Sequence, residues 1–512
     1  MTEPSETYSG TEPPSMKTRA YLGSALIGIA ATVAGAGAGH LIAVLVRADA
    51  SPPYAVGSAV VDATPEPVKS WAIRSFGSAD KLVLLSGVVI VTLLLAAVAG
   101  LLARRRLSYG LGLLGVMVAI AGWAALARPT ADLLSVVPSL VTAGVVLGAM
   151  TALHRGAAES ADEGLSRRGV MLAGAALGIG AVAAAVGRSV GSVANKVAGA
   201  LPKPARPLPA LPAELPVPGI TALRTPASDF YRVDTALIVP RVDASSWELV
   251  IDGEVEQPQR FSYADITAMP MVEADVTLCC VSNEVGGEYA GGARWTGVPV
   301  RELLARAKPK PGNDQVLSTS TDGYTSSTPL AALVDPQRAA LLAIGMNGEL
   351  LPRDHGYPAR LVTPGLYGYV GATKWVTRLT VTTYAGRKAY WTVRGWAERG
   401  PIKPSARIDT PQPLASLKAG TIAIGGTAWA QHLGVRAVQV QIDDGPWQQA
   451  RMGGDAGIDY WRQWWLPWSA QPGQHRLRAR CVYASGTLQT DVRAEPFPDG
   501  ASGYHEVVVN VR

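Results

Sequence analysis

The stretch Asp275–Leu304 reads DVTLCCVSNEVGGEYAGGARWTGVPVRELL. Its opening predicts a short apolar strand over Val276–Val281. In such a strand Val276, Leu278 and Cys280 share one face, and Thr277 and Cys279 share the other. Alternation does not say which face meets a ligand. The chain has three cysteines, and the third is Cys481. Two adjacent cysteines and one distant one exclude a disulfide framework and a cysteine-based zinc site. A Gly-rich loop, Gly286–Gly292, follows, and helical periodicity begins at Val300 and runs to Ala307.

Around this segment the chain reads as short strands and turns from Thr225 onward. Trp247–Val255, Gln315–Ser320, Ala359–Val362 and Arg378–Thr383 are further strand candidates, and Leu330–Ala343 reads as helical. Residues 225–400 are therefore expected to form a mixed α+β domain. In residues 401–512 alternating segments recur with turn signals between them: Thr421–Ile424, Ala437–Ile442, His475–Val482 and His505–Val511. That spacing predicts a β-sandwich. Trp429, Trp447, Trp461, Trp464, Trp465 and Trp468 are expected to fill or cover it, with Cys481 in its core.

The first part of the chain is of another kind. Over 512 residues, 48% are hydrophobic and 17% charged, against about 25% charged in an average soluble chain. The apolar excess lies before about residue 190. Four runs, Ala20–Val46, Leu82–Ala103, Leu107–Ala127 and Leu133–Leu153, reach the ~20 residues that cross a hydrocarbon core. A fifth, Gly169–Gly187, is shorter and richer in Ala and Gly. About five transmembrane helices are expected over residues 1–188. Basic residues flank alternate ends: Lys17 and Arg19, then Arg104–Arg106, then Arg155, Arg167 and Arg168. The positive-inside rule puts those ends in the cytoplasm and everything after Arg188 outside. Arg47, Lys69, Arg74 and Lys81 sit on the predicted outer side and depart from the rule. Ser166-Arg167-Arg168 before an apolar run is similar to a twin-arginine export signal. Bis-His haem is not expected, because His40 and His154 lie near opposite ends of their runs. Residues 189–224 are a Pro-rich linker, in which Leu201–Pro218 favours polyproline II and a semi-rigid stalk. The net charge of +6 is mild, and basic residues do not interleave with aromatic ones, so no nucleic acid is expected as partner.

The Asp275–Leu304 segment resembles the sulfite oxidase family of molybdenum enzymes. The likeness rests on Leu278, Cys280 and Asn283, then Trp295, Thr296, Gly297, Val298 and Pro299. A second block, Met346–Trp375, matches the family's His-Gly-x-Pro-x-Arg and Lys-Trp signatures at His355, Gly356, Pro358, Arg360, Lys374 and Trp375. Asp229-Phe230-Tyr231-Arg232 resembles an early pterin-contact segment. Residues 401–512 are similar to the family's immunoglobulin-like dimerisation domain. The resemblance implies a multi-domain chain, with a sulfite-oxidase-type molybdopterin domain between the transmembrane helices and the sandwich.

The resemblance also implies a molybdenum–molybdopterin cofactor with Cys280 as the metal's protein ligand. A thiolate is the soft, electron-rich donor that binds such a metal. Arg360 and Lys374 are the anion partners expected for the cofactor phosphate. His355 is expected to hydrogen-bond the cofactor, and backbone N–H groups near Ala372 and Thr373 to add phosphate contacts. Phe230, Tyr231, Arg232 and Asn283 complete the expected site. Arg394, Arg399 and Arg407 read as ordinary salt-bridge residues. Where sulfite oxidases carry arginines after the cysteine, this chain has Glu284 and Val285, and Trp396 is expected in place of a tyrosine near the metal. The departure weakens the case for sulfite and favours a neutral or larger oxo compound, small or protein-bound. Electrons are expected to pass to an external quinone or cytochrome. The alternative is a catalytically inactive cofactor fold acting as a membrane-tethered interaction module.

Overall fold

In the computed structural model of the chain, residues 16–76, 80–128, 131–158, 174, 178 and 199–512 are described. Ser166–Arg168 and, apart from Gly174 and Gly178, the apolar run Gly169–Gly187 lie outside those residues. The chain divides into two units. One is Met1–Asn195 with Ala236–Ile238, and the other is Lys196–Thr235 with Val239–Arg512.

In the first unit, four helices are long and apolar enough to cross a membrane, over Ala20–Val46, Lys81–Ala103, Leu107–Leu126 and Leu133–Gly156. Large apolar side chains such as Leu82, Ile90 and Trp123 point outward, while Ala30, Ala31 and Ala99 are buried. That inside-out distribution suits helices in lipid, which pack through small residues. Two glycines show how close the backbones come. A Cβ on Gly28 would stand 2.0 Å from the Ala96 carbonyl oxygen, and one on Gly39 would stand 1.9 Å from Thr142 Oγ1. Between the first two spans, where the sequence suggested a loop, the chain forms helices Pro52–Ala63 and Glu66–Phe76. Arg47, one of the cations that depart from the positive-inside rule, is paired, as is Arg128. Arg47 lies 3.0 Å from Asp132 and 3.3 Å from Asp49, and Arg128 lies 3.4 Å from Asp49.

The second unit begins with two sheets. One runs in the order β2 (Gln259–Ser262), β1 (Glu248–Gly253), β10 (Val376–Thr382), β5 (Gln315–Ser320), β6 (Thr325–Pro329). The other runs β3 (Val272–Cys279), β4 (Ala290–Pro299), β7 (Leu341–Met346), β8 (Glu349–Leu350), with β9 (Arg360–Val362) also paired to β7. Helix Val300–Ala307 lies where its periodicity predicts. The helix expected over Leu330–Ala343 is only Leu330–Val334, because the buried apolar run Leu341–Met346 is a strand. A short apolar run cannot be assigned by periodicity alone.

Residues 405–511 form two further sheets. The first is β11 (Ser405–Thr410), β13 (Gly420–Trp429), β17 (Arg462–Ala470), β16 (Arg451–Met452). The second is β12 (Ser416–Leu417), β19 (His505–Val511), β18 (Gly473–Tyr483), β14 (Val435–Ile442), β15 (Gln448–Gln449). Both contribute to one apolar core that holds Trp464, Trp468 and Cys481. Trp429 and Trp461 do not join it. They pack instead with Cys279, Val281, Tyr367 and Trp396. Trp447 and Trp465 lie under the guanidinium groups of Arg480 and Arg451.

β3 is an edge strand, and its outer edge is covered. Thr277 donates its N–H to the Asp459 carbonyl at 3.0 Å and accepts from Trp461 N–H on Oγ1 at 3.0 Å. Its carbonyl accepts from Gln431 Nε2.

The Pro-rich segment is not a free stalk. It lies along the second unit as an extended strap. Ala205 N–H donates to Met271 C=O at 2.9 Å, and Leu208 and Leu215 N–H groups donate to Glu273 and Gln463 side chains. Arg294, paired with Asp275 at 2.7 Å, donates to the carbonyls of Leu208 and Pro209. Prolines lack N–H donors but leave carbonyls to accept, and Arg294 uses them. Arg294→Met should leave Asp275 and two carbonyls unpartnered. Unfolding free energy is expected to fall by roughly 3 kcal/mol, with faster proteolysis inside Leu201–Pro218. Wild-type proteolysis in a destabilised variant would show that the strap is held elsewhere.

Candidate metal and cofactor site

β3 sorts its side chains as alternation requires. Ala274, Val276 and Leu278 pack with Phe230 and Trp295, while Cys279 joins the cluster shared with Trp429 and Trp461. The strand ends at Cys279, so Cys280 is the first residue beyond it. The chain then turns and returns as a closed loop. Cys280 N–H donates to Tyr289 C=O at 2.9 Å, and Asn283 N–H donates to Cys280 C=O at 3.1 Å. The Asn283 side chain accepts from Tyr289 N–H at 2.8 Å. Asn283 thus closes the loop through its side-chain oxygen.

Cys280 is buried, and burial pushes its thiol pKa up. Opposing that, Ser282 N–H and hydroxyl and Val281 N–H donate toward the sulfur, and Lys374 attracts the thiolate. These donors suit a sulfur that must carry negative charge. Cys279 shows the contrast. Burial drives its thiol far up, and Arg407 is the cation that counters it.

The second sequence block supplies cations on the other side. Arg360 is 4% exposed, and burial pushes it down to about 10. It donates to the carbonyls of His355 at 3.1 Å and Ala372 at 3.3 Å and lies over the Trp295 ring. Among the described residues no carboxylate forms an ion pair with it. Lys374 is pushed down to about 8 by burial, although Asp234 lies 2.8 Å away. Asp234 also receives Arg232 Nε at 2.9 Å. Arg232, expected at the metal, is therefore held by a carboxylate that sequence reading missed. An Asp two residues after an Arg was the available signal.

His355 is 2% exposed, and its Nε2 donates to Ala227 C=O at 2.7 Å. Burial lowers its pKa, so the ring is neutral with Nδ1 as the acceptor nitrogen. Phe230 lies edge-on to it and stacks on Tyr231. Tyr231 is half-buried and its pKa is raised by desolvation and then by the two cysteines, and Tyr324 is likewise raised, with Cys280 among the causes. Tyr324 and Tyr289, whose ring is 6.3 Å from Tyr231, were missed because isolated tyrosines carry no sequence pattern. Ala372 N–H is used by Gly368 C=O at 3.0 Å, and Thr373 Oγ1 bonds Ser318 at 2.6 Å. The expected backbone donation from Ala372 is thus already committed inside a helical turn. Trp396 stands in a ring cluster with Tyr369, Trp391 and Phe497, on the Cys279 side. Arg407 and Arg399 pair with Asp409 and Asp314, while Arg394 lies over the Tyr390 ring. A crevice borders the cysteine loop, lined by Asn283, Glu284, Val285, Tyr367, Lys403 and Trp429, with Cys279 in its wall.

A buried thiol with donors aimed at it, beside buried cations in excess of carboxylates, fits a soft metal carried by an anionic cofactor. Comparison with known proteins agrees. Residues 236–391 match the family model described as oxidoreductase molybdopterin binding domain. Mitochondrial sulfite oxidase of Mus musculus is 31% identical over 308 residues, covering 50% of this chain and 56% of that protein. The Homo sapiens enzyme is 30% identical over 293 residues, covering 48% and 53%. Nitrate reductase [NADPH] of Fusarium oxysporum is 34% identical over 167 residues, covering 28% and 18%. The chain thus spans about half the length of the sulfite oxidases it matches. Among solved structures, the sulfane dehydrogenase SoxCD of Paracoccus pantotrophus shares the fold. Its TM-score is 0.50 at 23% identity, covering 59% of this chain and 88% of that one. Residues 236–391 thus match a molybdopterin-binding domain of oxidoreductases. Its cofactor is a molybdenum–molybdopterin.

The depressed Lys374 has a consequence for cofactor-free protein. Between about 8 and 10.5 the unfolded chain keeps a proton that folded Lys374 has lost. Stability from this group therefore rises with pH across that window. In urea titrations of detergent-solubilised protein, the wild type should gain about 3 kcal/mol relative to Lys374→Met from pH 8 to 10.5. Parallel pH curves for the two proteins would contradict this reading.

Proposed function

We propose that the protein is a membrane-anchored molybdenum oxidoreductase that transfers an oxygen atom outside the cytoplasmic membrane. The observation that carries this reading is the donor set around Cys280 facing the Arg360–Lys374 pair. The bound cofactor supplies a two-electron redox change coupled to oxygen-atom transfer.

Cys280 supplies the thiolate ligand, and Ser282 and Val281 stabilise its charge. Arg360 and Lys374 bind the cofactor's anionic end, with Thr373 and the Ala372 carbonyl fixing their surroundings. His355, neutral, offers Nδ1 as an acceptor. Phe230, Tyr231 and Tyr324 keep water from the ligand side. Arg232 contributes to the site through Asp234.

The loop over the site carries Glu284 and Glu288, both exposed, and Val285. Lys403 in the neighbouring crevice is tied to Asp499 at 2.9 Å. Negative charge on this loop repels a small dianion, so the preferred substrate is a neutral sulfur or nitrogen oxo compound, small or protein-bound. Sulfite is a poorer fit, although the sequence relatives are sulfite oxidases. Electrons pass to an external quinone or cytochrome. The four apolar helices anchor the chain, and Arg167-Arg168 exports the folded outer unit with cofactor bound. The sandwich serves as an immunoglobulin-like dimerisation module.

Elemental analysis tests the core of this reading. Protein from a cofactor-competent host should hold about one molybdenum per chain, lost in Cys280→Ser and kept in Cys279→Ser. Equal loss in both variants, or none in either, would sink the assignment of Cys280. On the loaded enzyme, kcat/KM for a neutral sulfoxide should exceed that for sulfite. Glu284→Arg should raise the sulfite value about tenfold, the effect of ~1.4 kcal/mol of charge interaction. No response to charge reversal would remove the loop from substrate selection.

A further inference from the structure

We propose that Arg407, a residue of the C-terminal sandwich, positions the Cys280 loop, so that the sandwich completes the metal site. The proposal rests on the reading of Cys280 as the ligand.

The neck of the loop is closed by its own hydrogen bonds, Cys280 to Tyr289 and Tyr289 to Asn283. Its tip, Gly286 and Gly287, reaches the sandwich. Arg407 donates from Nη1 to Gly287 C=O at 3.0 Å, from Nε to Asp409 at 2.6 Å and from Nη2 to Thr221 Oγ1 at 2.9 Å. The second Asp409 oxygen accepts Thr221 N–H at 3.0 Å. Bonds along three edges of a planar guanidinium leave it one orientation. Arg407 is 7% exposed and Asp409 is 8% exposed, so water does not compete for these bonds.

A second contact fixes the same tip. The His505 ring lies so close to Gly286 that a Cβ there would stand 2.2 Å from Nε2. Gly286 also has φ of +85°, where side chains are disfavoured. His505 is held in turn by Ile408 N–H, which donates to Nδ1 at 3.0 Å. Arg407, Ile408 and Asp409 are consecutive on β11. β11 therefore holds Gly287 directly through Arg407, and fixes the His505 ring of β19 that lies against Gly286.

Arg407 is paired with Asp409, and its part at the loop tip is the directed hydrogen bond to Gly287. Lysine keeps the charge but cannot make three directed bonds, which makes Arg407→Lys the informative variant. Thr221→Val removes a single partner of the guanidinium and disturbs the fold least. Full-length protein is prepared with and without cofactor. In cofactor-free protein, iodoacetamide labelling is followed at Cys280 by mass spectrometry. Arg407→Lys should melt as a folded protein while its Cys280 labels roughly ten- to hundredfold faster, from loss of a buried charged hydrogen bond. Thr221→Val should shift in the same direction by less. In loaded protein, the Mo(V) paramagnetic resonance spectrum of Arg407→Lys should differ from wild type. A folded Arg407→Lys with wild-type labelling and a wild-type spectrum overturns the proposal. The same result in Thr221→Val overturns it if Arg407→Lys does not fold. Absence of molybdenum in the wild type would overturn the reading of Cys280 instead, and the labelling comparison would still decide the role of Arg407.

Discussion

In the proposed role of Cys280 as the metal's ligand, negative charge on its sulfur has to exist where water is excluded, and the residues of the cysteine loop bear on that conflict. Desolvation favours the neutral thiol, while two N–H groups, a hydroxyl and Lys374 favour the thiolate. In the cofactor-free chain burial prevails, and the thiol stays protonated at neutral pH. A metal reverses the balance, because binding a thiolate expels the proton and replaces the lost hydration with a bond. In the proposed site, the residues near the sulfur would prepare a charge that appears only with the metal. Cys279, one residue earlier, lies under the same burial in an aromatic cluster, and burial keeps it a neutral thiol.

The cations follow the same logic with opposite sign. Arg232, Arg360 and Lys374 gather near one carboxylate in ion-pair contact, Asp234. Both Arg360 and Lys374 lose basicity to burial. Buried positive charge in excess of its partners is costly, since interiors penalise unpaired ions. In the proposed function, an anionic cofactor repays that cost by supplying the missing charge. Asp234 can hold Lys374 in place until then, so the site keeps its shape without the ligand.

Much of this was legible in local pattern. The alternation from Ala274 to Cys279 told which side chains share a face, and helix Val300–Ala307 followed from its period. The sandwich was visible because turn signals separate its strands. Other features depend on contacts that no local pattern encodes. Leu341–Met346 has the same composition as a helix segment, and only its partners β4 and β7 make it a strand. The Pro-rich segment read as a free spacer because proline was judged by its stiffness. Its carbonyls and flanking N–H groups nonetheless found partners from Met271 to Gln463. Tyr289, Tyr324, Asp234 and Ser282 were missed for a related reason, since each acquires its role from a neighbour distant in sequence or from a turn.

β3 joins these observations. It has two faces and an outer edge, and each is used differently. One face packs Val276 and Leu278 into the domain's own core. The other carries Cys279 to the aromatic cluster shared with the sandwich. The edge at Thr277 is spent on Asp459, Trp461 and Gln431, all from the sandwich. Three residues later the chain reaches Cys280. A strand fixed on both faces and along its edge has little freedom to shift, and its last residue sets where the next sulfur stands. The placement of Cys280 therefore follows from packing in two domains, and the C-terminal sandwich is not a separate appendage to the cysteine loop.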